Sequence, residues 1–373
     1  MPGKSLTREW PLAASLVTTL LYLLFGKGWL ADLSSPLWFS LVTLWLFAVM
    51  GVSAFAVVRH AECLAERLGE PFGTLILTLA ITGMEVMMIA AVMYAGKGEN
   101  ATLARDAMLA VVMIVLNGMT GLALIVGGLR YHEQTYNLQG ASAFLAVILP
   151  LSVLGLILPS YTVSAPGPVL STAQAIFLIV MSVVLYGVFL AIQTLRHRDY
   201  FIAPAVQKPP ESHVAAFTAH YEIRGVAYHA LLLVAYVLPF VVLSKQIAMP
   251  IDHAIRTLHA PVALGGFLVS VLVLSPESLG ATRAALANQL QRSVNILLGS
   301  VLASISLTIP AVLAIGFIID KNVVLGLDPI NSILLMLTLI LSTITFASPR
   351  TNVLLGAVHV LMFCAYIMFM FER

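Results

Sequence analysis

Charge is what this sequence has least of. Lys, Arg, Asp and Glu make up 10% of its 373 residues, against about 25% in a typical soluble domain. Hydrophobic residues make up 60%, so there is too little polar surface to cover a water-soluble globule of this size. The two signs nearly balance, 19 basic residues against 17 acidic, which removes the basic excess expected of a nucleic-acid partner. Cysteine is almost missing as well: Cys63 and Cys364 are far apart and fit no disulfide framework or metal pattern. The sequence holds no nucleophile elbow, phosphate loop or nucleotide fingerprint. His132-Glu133 is not followed by a second histidine at metalloprotease spacing. Nothing here reads as an enzyme or as a site for a resident cofactor.

What fills the chain instead is apolar sequence in runs long enough to cross about 30 Å of hydrocarbon. About eleven such spans are expected, at roughly 10–26, 36–58, 71–95, 106–129, 141–159, 169–195, 226–244, 261–284, 293–319, 330–348 and 351–371. The fold class that follows is an all-α polytopic membrane protein. The first run resembles a signal peptide, but no clear small-x-small cleavage site follows it and a second span comes soon after, so it is expected to stay as a helix. One long polar connection stands out, 196–225, with Pro204, Pro209 and Pro210, and reads as a linker between two halves.

Basic residues give the orientation, since cytoplasmic loops are enriched in Lys and Arg. With the N-terminus inside, inner segments hold Lys4, Arg8, Arg59, Arg67, Arg130, Arg196, Arg198, Lys208, Arg224, Arg283, Arg292 and Arg350. Outer segments hold Lys27, Lys97, Arg105, Lys245, Arg256, Lys321 and Arg373. The expectation is a cytoplasmic N-terminus, a cytoplasmic linker and a periplasmic C-terminus.

Against this apolar background two acids are out of place. Glu85 lies in PFGTLILTLAITGMEVMMIAAVMYAG and Glu277 in PVALGGFLVSVLVLSPESLGA, each near the middle of its run. An acid at mid-membrane costs at least about 2.5–3.5 kcal/mol and usually marks an ion or proton path. Setting the first span aside leaves five plus five, with each acid in the second span of its unit. Five is odd, so the two units insert in opposite senses, the inverted-repeat plan of many secondary transporters. The organisation expected is an extra N-terminal helix (1–35), a first five-helix repeat (36–195), a cytoplasmic linker (196–225) and a second five-helix repeat (226–373). Matching Glu85 with Glu277 also pairs Gly73 with Gly265 and Thr78 with Ser270.

Each acid sits at a weak point of its helix. Thr82 and Gly83 precede Glu85; Ser275 and Pro276 precede Glu277. Proline removes a backbone donor and frees a carbonyl one turn back. Carbonyls and hydroxyls beside a carboxylate are hard oxygen ligands suited to calcium or sodium. The expected cation and proton site comprises Glu85 and Glu277, which would hold the metal, with Thr82 and Ser275 beside them. Asn117, Asn295 and Ser300 on the following spans would complete it. Thr120, Ser304 and Ser306 are further candidates, though small hydroxylated residues are also ordinary helix-packing material. Glu70, near the cytoplasmic end of its span, is a candidate proton relay or a plain helix-start carboxylate. His213, His220 and His229 cluster around the linker and read chiefly as solvated histidines.

These segments resemble a known family. GEPFGTLILTLAITGMEV (69–86), VGGLRYHEQTYN (126–137), LSPESLGATRAALANQLQRSVNILLGSVLASISLTIP (274–310) and SPRTNVLLGAVHVLMF (348–363) are similar to proton-coupled cation exchangers of the calcium/cation antiporter superfamily, in particular its bacterial calcium/proton antiporter branch. The resemblance runs from about residue 60 to the end. It implies secondary active antiport of a metal cation for protons across a bacterial inner membrane, with calcium first and sodium or potassium as the alternative. A cation channel is the more distant rival. It implies the lipid bilayer, the transported cation and protons as partners, and leaves self-association open. In that family each repeat carries its glutamate in a Gly-Asn-Ala-x-Glu-like sequence. Here the asparagine is missing before both acids, and so is its amide ligand.

Overall fold

A computed structural model of the chain describes residues 9–69, 72–95, 102–203 and 225–372. Among them eleven helices follow one another: α1 Trp10–Trp29, α2 Pro36–Leu68, α3 Phe72–Ala95, α4 Leu103–Tyr131, α5 Leu138–Ser160, α6 Thr172–Arg196, α7 Val226–Thr257, α8 Ala263–Leu286, α9 Leu290–Ile318, α10 Pro329–Thr345 and α11 Val353–Phe371. Nine of these are long and apolar enough to cross a membrane; shorter apolar helices cover Leu75–Ala91, within α3, and Pro329–Thr345. Large apolar side chains face outward along them, as Ile176, Phe177, Val180 and Val184 do on α6 and Leu354 and Leu361 on α11. Such faces fit lipid rather than water, and the chain is an all-α integral membrane protein.

The ends are set by local chemistry. Prolines stand in the first turn of α1, α2 and α10, where a missing N–H costs nothing. Ser171 and Gln174 close a reciprocal capping box on α6. Asp328 and Asn352 cap α10 and α11 by accepting from Asn331 N and Leu355 N. Gly69 ends α2 at a φ of 65°, a left-handed value that suits glycine.

Helix lengths repeat across the two halves. α2 and α7 have 33 and 32 residues, α3 and α8 have 24 each, and α4 and α9 have 29 each. The third helix of each half widens to π geometry in mid-course, at Met113–Met119 in α4 and Ser304–Thr308 in α9. Such widened turns within α-helices often fall at functional sites.

Two compact units interleave the halves: residues 1–100 with 214–276, and residues 101–213 with 277–373. In the first, α2 packs along α7 and both contact α1 and α3. Its core is built from Tyr22, Leu46, Met50, Tyr236, Phe240 and Ile247. In the second, α4 lies on α11, and the π stretch of α4 also touches α9 and α10. There α4 and α11 approach at backbone distance, through Gly121 and Gly356. A two-residue antiparallel pairing, β1 Gln134–Thr135 with β2 Arg350–Thr351, ties the loop after α4 to the loop before α11. Of the 196–225 linker, residues 204–224 lie outside the described residues.

Candidate functional site

In the second unit, Glu277 follows Pro276 on α8, a helix that runs unbroken through the proline. With no N–H at Pro276, the carbonyl of Leu272 one turn back has no intrahelical partner. Ser300 of α9 donates its hydroxyl hydrogen to Oε2 of Glu277. Ser300 lies one turn before the π stretch of α9, whose Ser304 and Ser306 are buried; the Ser306 hydroxyl donates back to the Leu302 carbonyl. A hydroxyl donating to a half-buried carboxylate is a charge-assisted contact of the stronger kind.

In the first unit, Glu85 is 1% exposed on α3, with Thr82 buried one turn before it and Met84 and Met88 buried around it. Ser275, which precedes Pro276 on α8, donates to the Val271 carbonyl one turn back at 2.5 Å.

Asn117 occupies the π stretch of α4 and is fully buried. Its amide nitrogen donates to Thr338 Oγ1 at 2.7 Å and contacts Met113 Sδ at 3.4 Å, and its oxygen faces His359 Nδ1 at 3.1 Å. Asn295 sits elsewhere on α9. Its amide donates to the Phe201 carbonyl at 2.7 Å, and its oxygen accepts from Gln291 at 2.9 Å. Asn295 therefore fastens α9 to the short turn after α6. Thr120 donates to the carbonyl of Val115, five residues back, across the widened turn. Glu70 lies outside the described residues, as do His213 and His220.

The sequence reading passed over two buried groups. His359, in the middle of α11, is fully buried; the rule that flagged the glutamates, an ionisable side chain inside an apolar span, also flags it. The second group gathers around Glu9. Its Oε2 accepts from Arg59 at 2.6 Å and from the Tyr236 hydroxyl at 2.8 Å, and lies 3.5 Å from His60 Nε2. His60 Nδ1 in turn faces His229 Nδ1 at 2.9 Å. His229 is thus a buried member of this cluster rather than a solvated loop histidine. Burial by itself would raise the Glu9 carboxyl, but hydrogen bonds from His60 and Tyr236 and the charge of Arg59 outweigh it and bring Glu9 down to about 2. These residues come from positions 9, 59, 60, 229 and 236, and no spacing rule joins them.

Outside the helices, the exposed Asp32 is lowered by the hydrogen bonds it receives from Ser34. The Tyr136 phenol is raised by burial and donates to the Ser348 carbonyl, which holds the loop before α5 against the one after α10. Among the described residues no group of three or more His, Cys, Asp or Glu is arranged to hold a metal ion.

Comparison with known proteins gives a consistent result. The family described as "Sodium/calcium exchanger protein" matches the chain at residues 37–195 and 228–372, one match in each half. The chain is 41% identical over 323 residues to "Putative ionic transporter y4hA" of Sinorhizobium fredii, covering 85% of this chain and 84% of that protein. It is 39% identical over 330 residues to the sodium-potassium/proton antiporter ChaA of Escherichia coli (strain K12), covering 87% and 88%. Among solved structures, native YfkE superposes with a TM-score of 0.72 at 15% identity, covering 97% of this chain and all of that one. The H+/Ca2+ exchanger CAX gives 0.67 at 16% identity, covering 97% and 89%. At these identities the solved structures speak for the fold alone.

Proposed function

This chain belongs to the sodium/calcium exchanger family, and from that premise we propose that it is an antiporter exchanging a metal cation for protons, with Glu85 and Glu277 as its exchangeable carboxylates. It is a cation exchanger of that family and a transporter rather than an enzyme. The observation that carries the reading is the recurrence of one acid in the second helix of each half, in helices of equal length within segments that the family matches one by one. The equal helix lengths and the double match also support two five-helix repeats, 36–195 and 226–373, inserted in opposite senses.

The chemistry follows from charge. A carboxylate withdrawn from water is costly when bare. Two protons neutralise two carboxylates, and so does one divalent cation. One monovalent cation with one proton does the same. Neutral, loaded forms can change the side to which they open, whereas the doubly charged empty form carries a large desolvation penalty. Exchange rather than leak is the consequence. Thr82 on the helix of Glu85, Ser275 on the helix of Glu277, and Ser300 and the oxygen of Asn117 in the second unit are proposed as neutral oxygen ligands, with the bonded Ser300–Glu277 pair as the firmest member. Asn295, held between Gln291 and Phe201, serves in this reading to fasten α9.

Sodium and potassium are supported by the name of the 39% identical ChaA and by the absence of an asparagine before either acid. Calcium is supported by the description of the family itself, sodium/calcium exchangers. The bacterial relatives support an inner-membrane protein, and the placement of lysine and arginine supports an N-terminus in the cytoplasm and a C-terminus in the periplasm. Everted vesicles carrying the protein, energised and given each chloride salt in turn, test the proposal. Calcium, sodium or potassium should collapse the proton gradient in a saturable way. Cation movement without proton movement would make the protein a channel or a different exchanger.

A further inference from the structure

The hydrogen bonds around Asn117 can be assigned a direction one by one. The Thr338 hydroxyl gives its hydrogen to the Leu334 carbonyl at 2.8 Å, with Met113 Sδ at 3.3 Å as a second acceptor, and in this arrangement it accepts from Asn117. The amide end facing Thr338 at 2.7 Å is therefore the NH2 group, and the oxygen faces His359. An oxygen has no hydrogen to give, so the geometry puts the His359 proton on Nδ1, facing that oxygen, with the Leu116 backbone as a further partner of the imidazole. In a neutral imidazole Nε2 then bears the lone pair, and the Thr345 hydroxyl at 2.9 Å donates to it. The chain reads Thr345 to His359 to Asn117 to Thr338 to the Leu334 carbonyl, with Met113 Sδ and the Leu116 backbone as side partners. All five residues are buried, and Asn117 sits on the π turn of α4.

We propose that His359 is a positioning residue for cation selectivity: its Nδ1–H fixes the Asn117 carboxamide with the oxygen, not the NH2 group, available to the transported cation. The inference rests on the reading of Asn117 as a cation ligand. An amide oxygen has two lone pairs, and His359 occupies one and leaves the second for a metal ion. Without that donor the amide is free to turn over. Thr338 can rotate and donate to the oxygen, and two N–H hydrogens then stand where a cation needs a lone pair. The effect acts on cation affinity, because no proton or metal passes through His359 itself.

Two replacements of similar polarity separate the ends of the imidazole. Asparagine carries its amide where Nδ1 lies, and glutamine carries its amide where Nε2 lies. In proteoliposomes, His359→Asn should keep the wild-type KM for the cation. His359→Gln and His359→Leu should raise it by about fivefold to tenfold, the scale of one lost hydrogen bond, with maximal rate little changed. In an Asn117→Ala background neither substitution should shift KM further. The same order should appear in the thermal shift that added calcium, sodium or potassium gives the detergent-purified protein. That readout, with size exclusion as a check on folding, does not depend on turnover.

Equal behaviour of the Asn and Gln variants, or an undiminished shift in the Asn117→Ala background, overturns the role of His359 while antiport stands. A wild-type protein that neither exchanges nor is stabilised by any of the three cations overturns the antiporter reading and this inference with it.

Discussion

Ser300 of α9 donates a hydrogen bond to the Glu277 carboxylate of α8, joining two helices of the second half through the acid that the sequence flags. A hydrogen bond to a charged group contributes about 1.5–3 kcal/mol. Ser300→Ala is therefore expected to raise the cation concentration for half-maximal exchange by tenfold or more, and Ser300→Thr, which keeps a hydroxyl, to stay near wild type. Cation titrations of proton flux in proteoliposomes measure both.

A second expectation concerns acid. Glu9 is lowered from its ordinary value of 4.5 to about 2 by its partners in the folded protein. A carboxyl with a depressed folded value adds stability that is complete above the unfolded value and vanishes as pH falls through the folded one. Glu9→Gln should lower the unfolding temperature by a roughly constant amount above pH 4.5. The gap to wild type should close between pH 4.5 and pH 2. Thermal unfolding of the detergent-purified protein across that range checks the sign. A gap that widens on acidification would contradict it.

The third concerns the contact of α4 with α11. A Cβ added at Gly121 would stand 2.8 Å from the Gly356 carbonyl oxygen and from the Val360 amide nitrogen. These are backbone atoms, which cannot step aside as a side-chain end can. Gly121→Ala should destabilise by about 1–3 kcal/mol, as overpacking does. Gly187, on α6, has nothing within 4 Å of the same built atom, and Gly187→Ala should leave the unfolding temperature near wild type or raise it slightly. The two variants compared by thermal unfolding isolate the contact from the general effect of replacing glycine.

The helices were legible because a membrane leaves a chain few choices: backbone groups must be satisfied within each span, and each span must be long and apolar. The expected start of α2 at 36 and of α7 at 226 coincides with the observed one. Both helices run on to 68 and 257, beyond the apolar runs that announced them, because polar and charged residues such as Arg59, Glu62 and Asp252 continue the helical turn past the apolar part. The π turns at Met113–Met119 and Ser304–Thr308 left no mark, since widening is a property of the backbone set by neighbouring helices.

The site was legible as residue types and less so as partners. Sequence identifies Asn117 and Asn295 equally well as amides inside apolar spans, but only the structure gives the first to Thr338 and His359 and the second to Gln291 and Phe201. The Glu9 cluster was out of reach for the same reason. It joins α1, α2 and α7 through residues up to 227 positions apart.

The most direct measurement is cation-driven proton flux in proteoliposomes with Glu85→Gln and Glu277→Gln, each beside wild type at matched protein content. Glutamine keeps the size and hydrogen-bonding capacity of glutamate and removes only the charge that a proton or a cation must neutralise. Loss of exchange in both variants, with wild-type size-exclusion profiles, is the expected result for calcium, sodium and potassium alike. Normal cation-dependent proton flux in either variant would mean that its carboxylate is not part of the exchange.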